Sequence, residues 1–264
     1  MSAGNPPSDR ASDEAARGLE PGSGERLGWA LILGGTGAVG RELVRELARA
    51  GLEIVFSWHR NAALAAELER AHRAPRASGI SIDLADAARR RRFLEGLLED
   101  RGPPALIVHA AAHAGVGSLS SLDDREWDRL QQISGGCVID LARVLGPAMG
   151  TAGGGEIVLL GALDRMQSIP LPAGYAAMQG MLSALTMALG HELGPQGVHV
   201  NLVALGLLDG GLSRLLDPKL REDYLRFSAL RRLGEPAEAA RAIAHLALGS
   251  GYMNGKILPF NGGI

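Results

Sequence analysis

The sequence predicts an α/β fold, a single doubly wound parallel sheet of about seven strands flanked by helices. Three observations lead there. From Trp29 onward short apolar runs alternate with longer amphipathic stretches, the pattern of βαβ units. A glycine-rich turn, Gly34-Gly35-Thr36-Gly37-Ala38-Val39-Gly40, joins the first apolar run to the first amphipathic stretch. The 264 residues are 46% apolar with a net charge of −2, enough apolar material for one sizeable core.

Residues 1–26 are rich in Ser, Gly, Pro and charge and lack aromatic and β-branched residues. Such a segment cannot bury enough surface to order itself, so a flexible tail is expected before a domain at 27–264. Strands are expected at 29–33, 53–57, 80–83, 105–109, 156–160, 199–204 and 256–259, each a β-branched or leucine-rich run bounded by polar residues or glycine. Helices are expected at 39–50, 62–72, 86–98, 123–145, 175–193 and 236–248. The first places Val39, Leu43 and Leu47 on one face and stops at Gly51, which suits a left-handed cap. The stretch 207–233 has no clear element and reads as an excursion able to act as a lid.

Composition narrows the function. The near-neutral charge leaves no electrostatic footprint for nucleic acid, and the run Arg89-Arg90-Arg91-Arg92 reads as a solvated helix face. No apolar run suits a membrane span and no stretch of signal-peptide type precedes Trp29, so a cytoplasmic protein is expected. The single cysteine, Cys137, fits a reducing compartment and a core position.

The glycine turn carries the cofactor expectation. Glycines let backbone N–H groups approach a pyrophosphate, and the following helix start adds partial positive charge. Gly34, Thr36, Gly37, Val39 and Gly40 are the residues placed there. The second strand ends in Ser57-Trp58-His59-Arg60-Asn61, without the carboxylate that would bind a ribose 2′-hydroxyl of NAD. NADP(H) is therefore expected, with Arg60 and His59 meeting its 2′-phosphate.

Further landmarks follow in order: Asp83-Leu84, His109-Ala110-Ala111-Ala112, Trp127-Asp128, Tyr175-Ala176-Ala177, Val200-Asn201-Leu202-Val203-Ala204, Tyr252-Met253-Asn254-Gly255 and Asn261-Gly262-Gly263. With the glycine turn they make the chain resemble the short-chain dehydrogenase/reductase family with its Rossmann-type sheet, and within it the β-ketoacyl-acyl carrier protein reductases. The resemblance implies that Asp83, Leu84 and Ala110 contact the adenosine half of the cofactor. It also implies a small-molecule substrate and a homo-oligomer, dimer or tetramer, built through helices 123–145 and 175–193, or a hetero-oligomer with an active relative.

The family's active site joins Ser, Tyr, Lys and Asn. By spacing these fall at Ala162, Tyr175, Gln179 and Ser134, so only the tyrosine is kept. The chain has two lysines, Lys219 and Lys256, and neither is near Tyr175 in sequence. A neutral Gln179 one turn from Tyr175 leaves the phenol protonated at neutral pH, able to donate a proton and poor at removing one. His113, after the fourth strand, is a further acid or base candidate, and Asp164 and Ser168 precede Tyr175 on a segment that can approach the substrate. His109 and His113 fall short of a metal ligand set. Three functions stay open: an NADP(H)-dependent reductase of a ketone or enone, a non-redox enzyme on the same fold, and a non-catalytic subunit of an active relative.

Overall fold

The structure, a computed structural model, describes residues 28–72, 77–115, 117–162, 171–249 and 251–264. The expected tail at 1–26, Asp164 and Ser168 lie outside the described residues. In chain order the elements are β1 (Trp29–Leu33), α1 (Ala38–Arg49), β2 (Glu53–Trp58), α2 (Ala62–Ala71), β3 (Ala77–Ser81), α3 (Ala87–Arg101), β4 (Leu106–His109) and α4 (Asp124–Gln131). A π turn (Gln132–Gly136) leads into α5 (Cys137–Val144), followed by α6 (Gly146–Thr151), β5 (Gly155–Ala162), α7 (Ala173–Leu193), β6 (Val198–Leu205), α8 (Pro218–Phe227), α9 (Pro236–Gly249) and β7 (Ile257–Phe260). The strands form one sheet in the order β3-β2-β1-β4-β5-β6-β7, all parallel.

Both faces of the sheet are covered, which is why its central strands read as continuous apolar runs. Along β1, Trp29, Leu31 and Leu33 pack under α3, α5 and α7. Ala30 and Ile32 face the opposite way, into Leu43 and Leu47 of α1, Leu68 of α2 and Ile243 of α9. Helix starts carry side-chain caps from Asn61, Asp86, Asp123 and Asp217, each satisfying backbone N–H groups that a helix start leaves unpaired. Gly51, at φ +97°, ends α1 as expected.

Two expectations are corrected and one is refined. The third strand lies at Ala77–Ser81 rather than 80–83, because Gly79 rather than the isoleucines sets its register. A Cβ at 79 would come within 2.7 Å of the Phe56 ring, so only glycine lets β3 pair with β2 there. The helix expected over 123–145 runs without interruption from Asp124 to Val144, with the π turn set inside it. Gly135 in that turn packs against the Met181 side chain, and the Gln132 carbonyl accepts from Arg90 Nη1 at 3.3 Å.

The arginine run is not a uniform solvated face. Arg90 is 1% exposed. Its Nε and Nη2 donate to Asp140 Oδ2 at 2.9 and 2.6 Å, its Nη1 to the Leu84 carbonyl at 2.5 Å, and its Nη2 to Gln132 Oε1 at 3.2 Å. The sequence signal is hidden because the partner, Asp140, lies far along the chain on α5. Cys137 is buried beside this network, and burial pushes its thiol up to about 12, so it is an inert core group.

Removing one member of the pair strands a buried charge. Arg90→Met is expected to lower the unfolding free energy by about 3–5 kcal/mol in urea denaturation. Arg90→Met/Asp140→Leu, which removes both charges, should lose less.

Candidate active site

A cavity of about 490 Å³ runs along the C-terminal ends of β1, β2, β4, β5 and β6. Strand order reverses between β1 and β4, and the crevice at such a reversal is where open parallel sheets take their ligands.

The glycine turn forms one wall. Gly34, at φ +84°, donates its N–H to Ser57 Oγ at 3.0 Å, and Gly35 donates to the Ser57 carbonyl at 2.8 Å. Ser57 is thus a positioning residue that the sequence reading passed over, since a serine at a strand end carries no signal of its own. Gly37 precedes α1 with no side-chain cap, and the first turn holds no acid. Thr36, Gly37, Ala38 and Val39 line the cavity, so the uncapped helix start meets the space where a phosphate would sit. Gly40 is absent from the lining. A Cβ there would collide with the Gly34 carbonyl oxygen, so Gly40 serves the close packing of α1 on the turn.

The next section of wall holds His59, Arg60, Asn61, Asp83, Leu84 and Arg129. Arg129 Nη1 and Nη2 donate to Asp83 Oδ2 and Oδ1 at 3.1 and 3.0 Å, and the Ala85 N–H donates to Oδ1 at 3.0 Å. His59 Nε2 is 3.6 Å from Asp83 Oδ2. Burial raises the Asp83 carboxyl, but the bonds from Arg129 and Ala85 outweigh it and hold the group below the usual carboxylate range. Arg129 was invisible in the sequence, one arginine of many on a helix.

At the far end the cavity meets Ala110, His113, Ser134, Ala162, Tyr175 and Gln179. Burial pushes the Tyr175 phenol up to about 12, and no cation among the described residues offsets it. Gln179 Oε1 accepts the Ala162 N–H at 2.8 Å. The amide oxygen is thereby committed to the end of β5, leaving the NH2 group as the available donor. Ser134 is buried in the π turn. His113 Nε2 donates to Glu126 Oε1 at 2.5 Å, a partner on α4 that the sequence did not indicate. His109 lies outside the lining: its Nε2 donates to the Ile133 carbonyl at 2.9 Å, and burial keeps its ring below the ordinary value. The two histidines therefore do not converge on one point.

The excursion 207–233 closes the remaining side. Leu207, Leu208, Leu212, Leu215 and Leu216 line the cavity. Tyr224 on α8 donates to the Asn261 carbonyl at 2.7 Å and Ser228 Oγ to the Gly262 carbonyl at 3.0 Å, which ties this stretch to residues 261–262.

The chain matches a family model described as enoyl-(acyl carrier protein) reductase over residues 35–264. It is 28% identical over 239 residues to the acetoacetyl-CoA reductase of Allochromatium vinosum, covering 89% of this chain and 97% of that protein. With the 3-oxoacyl-[acyl-carrier-protein] reductase FabG of Pseudomonas aeruginosa it shares 27% over 241 residues, covering 89% and 96%. Among solved structures, a short-chain dehydrogenase from Burkholderia cenocepacia in complex with NADP superposes with a TM-score of 0.80 at 26% identity, over 90% of this chain and 99% of that one.

A phenol with no cationic neighbour among the described residues favours its neutral form. The ultraviolet ionisation signal lost in Tyr175→Phe is expected to have a midpoint near pH 12, and Gln179→Lys should lower that midpoint. A midpoint at or below the ordinary value of about 10 would contradict this electrostatic picture.

Proposed function

The chain belongs to the short-chain dehydrogenase/reductase family, and on that premise we propose that its cavity binds NADP(H) and reduces a ketone or enone, with Tyr175 as the proton donor. The observation that carries the cofactor half is the uncapped start of α1 facing the cavity beside the cationic end of β2. Backbone N–H groups from Thr36 to Val39 would hold the pyrophosphate, and His59 and Arg60 the 2′-phosphate. Asp83, Leu84 and Ala110 would border the adenosine, and the Gln179 NH2 would donate to the nicotinamide ribose.

When bound, the reduced nicotinamide supplies the hydride. The rest of the chemistry falls to the chain. As a carbonyl oxygen gains negative charge, Tyr175 donates its proton to it. The missing lysine acts on the resting protonation state of Tyr175. A cation about 4 Å from the phenol is worth roughly 4 kcal/mol at an effective dielectric near 20, and that term stabilises tyrosinate, the form alcohol oxidation starts from. Without it the protonated form that reduction starts from is the one populated at neutral pH, while little tyrosinate is present to start oxidation. His113, backed by Glu126, is the cavity group suited to return a proton to the site, and the Ser134 hydroxyl stands where the family's asparagine does.

The leucines of the 207–233 stretch support an apolar substrate, and the likeness to acetoacetyl-CoA and 3-oxoacyl-[acyl-carrier-protein] reductases supports one of acyl-thioester type, with a polyketide type beside it. Self-association is supported by α7, whose Ala176, Ala177, Ala184 and Met187 are exposed. No helix among the described residues is long and apolar enough to cross a membrane, and the lone buried Cys137 fits a cytoplasmic setting.

The test is NADPH oxidation against a panel of diketones, enones and 3-oxoacyl thioesters. Turnover is expected with at least one, and Tyr175→Phe should cut it by about 100-fold or more. The Ala162→Ser/Gln179→Lys variant should raise alcohol oxidation at neutral pH by about tenfold or more. Robust alcohol oxidation by the unaltered protein without ketone reduction would overturn the reading. NADPH binding without turnover of any carbonyl would favour non-redox chemistry or a subunit role.

A further inference from the structure

Asp83 is the one carboxylate among the described residues that line the cavity, and its oxygens face Arg129. The guanidinium meets it through two parallel bonds of 3.1 and 3.0 Å, the bidentate geometry that arginine provides and lysine does not. The Arg129 side chain is 25% exposed and the Asp83 side chain 31%, so the pair borders the cavity rather than sitting in the core. Close by stand His59, whose Nε2 is 3.6 Å from Asp83 Oδ2, and Arg60, which shares the same lining.

A bare carboxylate at this position would act on a ligand phosphate in two ways. It would repel the phosphate directly, and it would draw His59 toward itself. With Arg129 in place, both oxygens are occupied, and Arg60 beside the neutralised pair keeps the local charge favourable to an anion. We propose that Arg129 is a specificity-determining residue for the cofactor: by neutralising Asp83 it lets the adenosine end accept the additional phosphate of NADP(H). This rests on the reading that the cavity binds NADP(H). It adds a residue from α4, in the same section of wall as the end of β2, to the set that chooses between the two nicotinamide cofactors. The charge that selects the phosphate is then set by a pair, and neither member can be changed alone without consequence.

The experiment is a fluorescence titration of NADPH and NADH into the full-length protein, Arg129→Met and Asp83→Asn/Arg129→Met, with thermal melts to confirm folding. Arg129→Met is expected to weaken NADPH binding by about tenfold and NADH by less than about threefold. Adding Asp83→Asn should return NADPH affinity to within about threefold of the starting protein. Loss of a merely structural contact would weaken both cofactors alike and would not be rescued. An unchanged NADPH-to-NADH ratio in Arg129→Met, or a double variant as weak as the single one, overturns the proposal. Should Arg129→Met fail to fold, the double variant decides: a ratio near that of the unaltered protein supports the proposal and a collapsed ratio overturns it. If the unaltered protein binds neither cofactor, the cofactor reading itself fails, and the proposal with it.

Discussion

The approach of α1 to the turn that precedes it is the constraint on which the site depends. At Gly40 there is no room for a Cβ against the Gly34 carbonyl oxygen, and at Gly35 a Cβ would come within 2.6 Å of the Phe56 side chain. The same Phe56 ring leaves space for nothing larger than glycine at position 79 on β3. The turn, β2 and β3 are therefore fitted to one another. Because they are, the uncapped end of α1 faces the cavity, Ser57 can bind the Gly34 N–H, and Asp83, just past β3, reaches Arg129 on α4. Arg90 completes the arrangement from below, tying the Leu84 carbonyl to the π turn that carries Ser134.

The two ends of the cavity are electrostatically unlike. The β2 end concentrates cations around one neutralised carboxylate. The Tyr175 end has no lysine, and among the described residues its polar groups are a phenol, an amide, a serine hydroxyl and the His113–Glu126 pair. At neutral pH a phenol whose value lies at or above 10 is over about 99% protonated, so Tyr175 is held as the neutral phenol. Gln179 does not replace the lysine's charge. Its oxygen is held by the Ala162 N–H, which fixes the amide at the place where the family's serine would otherwise reach the substrate. The Ala162 backbone N–H holds Gln179 in position.

Much of the fold was legible in the sequence because the central strands are buried on both faces and rich in Val, Ile and Leu. The turn and α1 were equally plain, since the glycines stand between a strand and a helix. What escaped notice depends on contacts distant in sequence. β3, Ala-Ser-Gly-Ile-Ser, has little strand character of its own and is dictated by Phe56. Arg90 looks like its three neighbours until Asp140 is brought against it. In the site, Gly34, Thr36, Gly37, Val39, His59, Arg60, Asp83, Leu84, Ala110, His113, Ser134, Tyr175 and Gln179 all reach the cavity. Gly40 supports it from behind. Arg129, Glu126 and Ser57 were unreadable because an arginine, a glutamate and a serine acquire meaning only from the group they face.

The central claim is that this cavity is a working NADP(H) site rather than an inherited shape. Isothermal calorimetry of the full chain with NADPH, and in parallel with NADH, tests it without knowledge of the substrate. The account predicts saturable micromolar binding of NADPH at one site per chain, with clearly weaker NADH. No binding of either cofactor would contradict it and leave the glycine turn as scaffold alone.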